Sequence, residues 1–415
     1  MATLAYREIG GKSGRYWALV IGSGALVAAG LGAALYMRAH GHHVTGMTNQ
    51  IVWGMPHVFA VFLIVAASGA LNVASIASVF GRSPYKPLAR LSGLLAVALL
   101  IGGLWNLVLD LGRPGHLLDA VMFPQWRSIF AWNIYLYTGF LVVVGFYLWF
   151  LMERRLERHS KTIGLVAFLW RLVLTTGTGS IFGFLAARRA YDTALLAPLF
   201  IILSFAFGLA VFLLVLITAS SALSRPLGER LLKRLKGLLV VFVAAALYFV
   251  AVYHLTNLYR AGYRGIESFV LVSGGVYTLL FWVIQVGVGG VVPLVLLLTA
   301  KTRLARRMVV ASAGVVVGGL AQLYVLIIGG QAYPLRLFPG FVVHSSFYDG
   351  VIHPYVPHWP ETVLAVSGVG VTTLIVLIGV RLLPFLPVSL ADEAIDVHGH
   401  KGRPVQAPKS VVPSP

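Results

Sequence analysis

The chain has 415 residues, 59% hydrophobic and only 11% charged, whereas a soluble domain carries about 25% charged residues; an ordinary soluble globular domain is excluded. Its net charge is +19. In so apolar a chain this reads as Lys and Arg gathered in loops on one side of a membrane, not as a nucleic-acid footprint. The absence of cysteine excludes disulfides, thiolate metal sites, iron–sulfur clusters and covalently attached c-type haem from this chain.

Ten apolar runs predict ten membrane-spanning helices, at about 16–37, 55–80, 88–111, 129–152, 163–186, 194–220, 237–258, 270–299, 307–329 and 362–384. Each reaches the ~20 residues needed to cross ~30 Å of hydrocarbon. The first run, from Tyr16, is too long for a signal-peptide core and lacks a cleavage site, so no cleavable signal is expected.

Helix two opens on "VWGMP" with His57 in its first turn. Helix three ends on "LVLDLGRP", with Asp110 and Arg113. Trp126 and Arg127 precede helix four, which carries Trp132, Asn133, Tyr135 and Tyr137 within about two turns of its start. Helix five holds Arg171 in "AFLWRLVLTTGTG". This arginine either snorkels to the nearer face or, with Glu153, Thr175, Thr176 and Thr178, lines a water-filled proton route. Helix seven bears His254 and Asn257 near its end. The "QVGVGGVVP" run of helix eight predicts close packing or a bend. Gln285, Gln322 and Gln331 are expected to hydrogen-bond between helices. The loop at about 330–361, with "GGQAYPLRLFPGF" and "HPYVPHWPE", reads as an ordered cap, and the polar tail after Pro387 as disordered.

Lys and Arg fix the direction. Alternate loops and both termini hold 23 of them, the opposite loops eight, and Arg171 lies within a helix. Both termini are therefore expected in the cytoplasm. His57, Asp110, Arg113, Asn133 and Tyr137 then lie at one depth, near the outer face.

Each has a plainer reading. Arg, Trp and Tyr at helix ends are ordinarily interfacial anchors, and a lone His there is ordinarily solvated. Asp110 and Arg113, at i and i+3, can pair and close helix three before Pro114. The set as a whole also suits quinol oxidation. That reaction needs hydrogen-bond partners at both ring oxygens, a nearby Asp or His to take protons, and aromatic walls.

The same residues carry a family likeness. "LVLDLGRP" with "SIFAWNIYLYTGF" (Ser128 to Phe140), "WGMPHVFAVFLIVAASG" and "SIFGFLAARRAYDTALLAPLF" (Ser180 to Phe200) resemble the NrfD/PsrC family of quinone-reactive membrane subunits. The likeness covers about 50–330, and the extra helices and "GGQAYPL" make it most similar to the DsrP/HmcC branch. The resemblance implies an all-α integral membrane protein with two four-helix bundles plus two extra helices. Its expected organisation is 1–54 with one extra helix, a first, quinone-site bundle at 55–190 and a second bundle at 191–330. A cap loop and last helix follow at 331–386, then the tail at 387–415.

It further implies a bacterial inner-membrane subunit of a respiratory or sulfur-metabolism complex, not a complete enzyme alone. The quinone, menaquinone or ubiquinone, would lie near the outer face of the first bundle. Only Asp110, Arg113 and Asn133 lie within strongly matching motifs; His57 and Tyr137 are assigned by type and depth. Implied partners are a periplasmic ferredoxin-like iron–sulfur subunit and a multihaem cytochrome c. Asp110 and His57 are the expected proton-exchanging residues, and proton movement is an open extension. Three alternatives remain. One is a b-type cytochrome with haem ligated by His57 and His254. The others are a secondary transporter and a purely structural anchor.

Overall fold

The structure is a computed structural model; it describes residues 6–153, 155–156, 159–335 and 351–393. Among these, ten helices are long and apolar enough to cross a membrane. They are α1 (Gly14–His40), α2 (Met55–Ser78), α3 (Ser83–Leu109), α4 (Ile129–Met152) and α5 (Ser160–Gly183), followed by α6 (Leu196–Ala222), α7 (Glu229–Tyr259), α8 (Val276–Leu298), α9 (Leu304–Ala332) and α10 (Trp359–Leu382). The chain is thus a multi-pass integral membrane protein. Helices are the expected solution, because a spanning segment in hydrocarbon must satisfy its backbone groups internally.

Two rings of four helices follow from the packing. In the first, α2 packs on α3, α3 on α4, α4 on α5 and α5 on α2. In the second, α6 packs on α7, α7 on α8, α8 on α9 and α9 on α6. The rings join through α2, which packs on α6 and α9, and through α5 on α6. At the α2–α6 crossing Gly69 meets Gly208 so closely that a Cβ on Gly208 would lie 2.1 Å from the Gly69 carbonyl carbon. Small residues let two helix backbones approach in this way where there is no hydrophobic drive between helices. α10 packs on α2 and α3, and α1 packs on α10.

α2 is the central helix, with 89% of its apolar window buried. Ser68, Asn72 and Ser75 on it are buried in protein. α7 begins eight residues before the predicted start, at Glu229. The extra turns are amphipathic: Leu231, Leu232 and Leu235 are buried, and Lys233 pairs with Glu229 at 2.9 Å. A hydropathy window misses such a turn because its mean is polar although one stripe is not. α8 carries a π-helical stretch, Leu280–Val291, just before Pro293, and Gly289 packs against Gly318 of α9. The close packing expected there is present.

The cation-rich end is stitched by arginines that donate to backbone carbonyls. Arg90 reaches Leu151 O and Pro384 O, while Arg225 reaches Leu386 O, Pro387 O and Arg7 O. The beginning of the expected disordered tail is packed instead. Leu390 is buried, its N–H donates to Pro226 O at 3.0 Å, and Asp392 accepts from Arg230 N at the start of α7. The rest of the tail, 394–415, and most of the cap loop, 336–350, lie outside the described residues.

Candidate functional site

The segment before α2 is held in place from several sides. Gln331, fully buried near the end of α9, accepts at Oε1 from Val52 N (2.9 Å) and Trp53 N (3.0 Å). Its Nε2 donates to Trp53 O and Ile327 O. Arg188 donates to Gln50 O (2.6 Å) and Gln331 O (3.2 Å), and the Gln50 amide donates to Gln331 O and Ala332 O. Burial of Arg188 pushes its pKa below the ordinary guanidinium value.

Glu361 in the first turn of α10 is also fully buried, and accepts from Gly46 N (2.6 Å), His358 N (2.9 Å) and Tyr355 Oη (2.6 Å). Tyr355 Oη in turn accepts from Met55 N at 2.9 Å. Burial and the neighbouring Glu361 raise the Tyr355 pKa, so the phenol stays a donor. A Cβ at Gly54 would lie 2.5 Å from a Glu361 carboxylate oxygen, so only glycine fits there.

This scaffold presents Trp53 and His57. The Trp53 ring lies 6.1 Å from His57, 6.3 Å from Phe130, 5.6 Å from Phe182 and 6.4 Å from Tyr191. His57 Nδ1 stands 3.1 Å from Asp110 Oδ2. The angle is not that of an aligned hydrogen bond, and Asp110 Oδ1 is buried with no partner among the described residues. The Asp110 side chain is 2% exposed and the His57 side chain 24%. A buried carboxylate thus touches an imidazole that reaches the protein surface. Such a pair can hold a proton and exchange it with whatever meets the other ring nitrogen.

The structure divides the five expected site residues. His57 and Asp110 come together. Arg113 does not join them: it is exposed beyond the end of α3, and the expected i, i+3 pairing with Asp110 is replaced by the contact with His57. Asp110 closes the last turn of α3 with its side chain turned toward α2, whereas the chain leaves the helix before Arg113.

Asn133 and Tyr137 lie in the α4–α5 seam. Asn133 Nδ2 donates to Ile129 O (2.9 Å) and Gly177 O (3.1 Å), while Tyr137 Oη is 3.2 Å from Thr178 Oγ1. Both are buried. Asn133 keeps one buried atom, Oδ1, without a partner among the described residues. Exposed Trp126 and Trp132 cluster with the half-buried Tyr135: Trp126 stacks on Tyr135, and Trp132 donates to Trp126 O. They fit the plain reading as interfacial anchors.

Arg171 follows neither expectation. It does not snorkel; it is fully buried, its guanidinium 4.8 Å from the Phe168 ring and 5.0 Å from the Phe205 ring. Its three guanidinium nitrogens have no hydrogen-bond partner among the described residues. The residues expected around it do not gather there: Glu153 and Thr176 are exposed, and Thr175 Oγ1 lies within hydrogen-bond distance of Arg171 O and Ser68 Oγ.

His57 and His254 are not brought to one haem. His254 pairs with Glu267 in the second ring, at 2.6 Å, and α2 does not pack on α7. Of the three glutamines, Gln331 grips a loop, whereas Gln285 and Gln322 line a cavity.

Several residues escaped the sequence. Trp53, Phe182 and Tyr191 read as generic aromatics. Glu267 lies in a short interruption between helices, in "RGIES", where a lone acid is ordinarily solvated. The one available signal was scarcity: the chain has only 13 acids, so each beside an apolar run invites attention.

The chain is similar to known proteins over most of its length. The chain is 29% identical to the Hdr-like menaquinol oxidoreductase integral membrane subunit of Archaeoglobus fulgidus, over 94% of this chain and 99% of that protein. It is 24% identical to a selenate reductase subunit of Mesobacillus selenatarsenatis, over 89% and 94% of the two chains. It is 29% identical to a putative dimethyl sulfoxide reductase membrane subunit of Halobacterium salinarum, over 90% and 92%. The family profile described as "Polysulphide reductase, NrfD" matches residues 43–334, which hold the gripped loop, His57, Asp110 and both helix rings, and the chain belongs to that family.

Proposed function

We propose that this chain is the membrane subunit of a multi-subunit oxidoreductase and oxidises a membrane quinol, with His57 and Asp110 as the proton-accepting pair. The observation that carries this reading is the 3.1 Å contact between a buried carboxylate and a partly exposed imidazole, beside the Trp53 ring. One relative is named a menaquinol oxidoreductase subunit and two are named subunits of reductases, which consume electrons.

A bound quinol supplies two electrons and two protons. Among the described residues His57 Nε2 makes no hydrogen bond, so it is free to accept from a quinol hydroxyl. Asp110, 3.1 Å from Nδ1, stabilises the imidazole once it is protonated. Trp53 and Phe130 provide flat apolar walls, and Phe130 is 46% exposed, on the side from which a lipid-soluble ring arrives. Asn133 and Tyr137 act one layer back, by fixing α4 on α5.

The chain lacks cysteine, so electrons leave for a redox partner; an iron–sulfur protein docked at the cation-poor, periplasmic end fits that need. Both termini then lie in the cytoplasm. The test is binding of a quinone analogue to the purified complex. Asp110→Asn and His57→Ala should each weaken it, and affinities equal to wild type would remove the assignment.

A further inference from the structure

The second helix ring carries a polar cluster that the quinol reading does not use. His254 and Asn257 lie near the end of α7, and Glu267 stands on the short helix Arg264–Ser268 that follows. His254 Nδ1 is 2.6 Å from Glu267 Oε2, and Asn257 Nδ2 donates to Glu267 Oε1 at 2.9 Å. Glu267 is 2% exposed, and Asn257 Oδ1 is buried with no partner among the described residues. An isolated carboxylate in such a place is costly unless it is paired or holds a proton.

The cluster opens on a cavity. His254, Glu267, Phe281, Gln285 and Gln322 are among its walls. A second cavity shares Val250, Gln285 and Gln322 with the first and continues to Val243, Gly289 and Gly318. From His254 back to Val243 the two follow α7 for about 16 Å at 1.5 Å per residue. The π-helical stretch of α8 supplies Gln285 and Gly289 to this wall. Polar groups therefore recur along an otherwise apolar column.

The volume suits water. The first cavity has room for a few water molecules.

The other titratable groups nearby are engaged elsewhere. Tyr253 donates to Ala190 O, Tyr263 bonds Asp192, and Arg189 and Arg260 lie over the Tyr263 ring. Arg264 is exposed and donates to Leu258 O. The cavity faces of α8 and α9 contribute the neutral Gln285 and Gln322.

We propose that His254, Asn257 and Glu267 form a second proton-binding site, separate from His57 and Asp110, at the head of a hydrated half-channel that reaches Gln285 and Gln322. Its ligand is a proton, exchanged between the His254–Glu267 pair and water entering from the cation-poor end. No electron is involved, and the inference stands apart from the quinol reading.

The absence of native cysteine makes the test direct. Gln285→Cys, Gln322→Cys and Leu323→Cys are made singly in the full chain and treated with a small polar thiosulfonate. Only ionised thiols in water react well, so the two glutamine positions should react about tenfold or more faster than the buried Leu323 position. Equal, slow reaction at all three would show a dry column and overturn the half-channel. In parallel, infrared difference spectra are recorded on acidification. A carboxylic C=O band should vanish in Glu267→Gln and persist in Asp110→Asn. A spectrum unchanged in Glu267→Gln would overturn the proton site, whatever the fate of quinol oxidation.

Discussion

Gln331 grips the Trp53 peptide from both sides, accepting from its N–H and donating to its carbonyl, each at 3.0 Å. One side chain from α9 thereby sets the position of a ring that stands 6.1 Å from His57 on α2. Gln331→Ala strips the partner from the Val52 and Trp53 N–H groups and the Trp53 carbonyl, while Ile327 O keeps Tyr191 Oη; a buried group left unmade costs about 1–3 kcal/mol. The expected outcome is a lower unfolding midpoint together with a severalfold weaker quinone-analogue affinity, with the complex still assembled. Thermal melting and analogue titration on one preparation check it; loss of stability with affinity intact would make Gln331 a purely structural clamp.

The His57–Asp110 contact predicts a graded series in turnover. General acid–base groups contribute about 10²–10⁴-fold, so His57→Ala and Asp110→Asn should each lower quinol oxidation by about a hundredfold or more. Arg113→Ala, at an exposed position, should leave the rate close to that of wild type. Steady-state rates with a soluble quinol decide this. A large effect of Arg113 beside a small one of Asp110 would reverse the assignment.

Glu361 offers a stability prediction. Hydrogen bonds to a charged group are worth about 1.5–3 kcal/mol each, and this carboxylate accepts three. Glu361→Gln weakens them and turns an NH2 toward donors, so folded yield and melting temperature should drop sharply. Tyr355→Phe, which removes only the phenol link between Met55 N and Glu361, should cost less. Equal melting of wild type and Glu361→Gln would contradict a charged, hydrogen-bonded carboxylate at this position.

Arg171 predicts the opposite sign. A buried charge without a partner is a liability, and replacing buried ions by apolar residues of similar volume is often neutral or stabilising by about 1–4 kcal/mol. Arg171→Met keeps the packing against Phe168 and Phe205, so its melting temperature should equal or exceed wild type. A strongly destabilised Arg171→Met would reveal an anionic partner beyond the described residues.

Much of the fold was legible because it is local. A helix in hydrocarbon satisfies its own backbone, so hydropathy alone delimited all ten spans. It erred mainly where a helix leaves the apolar layer, as at Glu229 of α7. The tail erred for a related reason: its polar composition says nothing of the Leu390 backbone bonds that tie it to the start of α7.

By itself, then, the sequence determined the ten helices, the segregation of cations and the residue types available near each helix end. Only the tertiary structure decided which of those side chains meet. Asp110 could turn toward Arg113 or His57, and Asn133 toward Asp110 or Gly177; helix rotation chose His57 and Gly177. Rotation is set by contacts distant in sequence, such as Gly69 on Gly208 and Gln331 on Trp53. Hydropathy reports how deep a residue lies and not which way it points, because transfer into lipid costs the same at every angle around a helix.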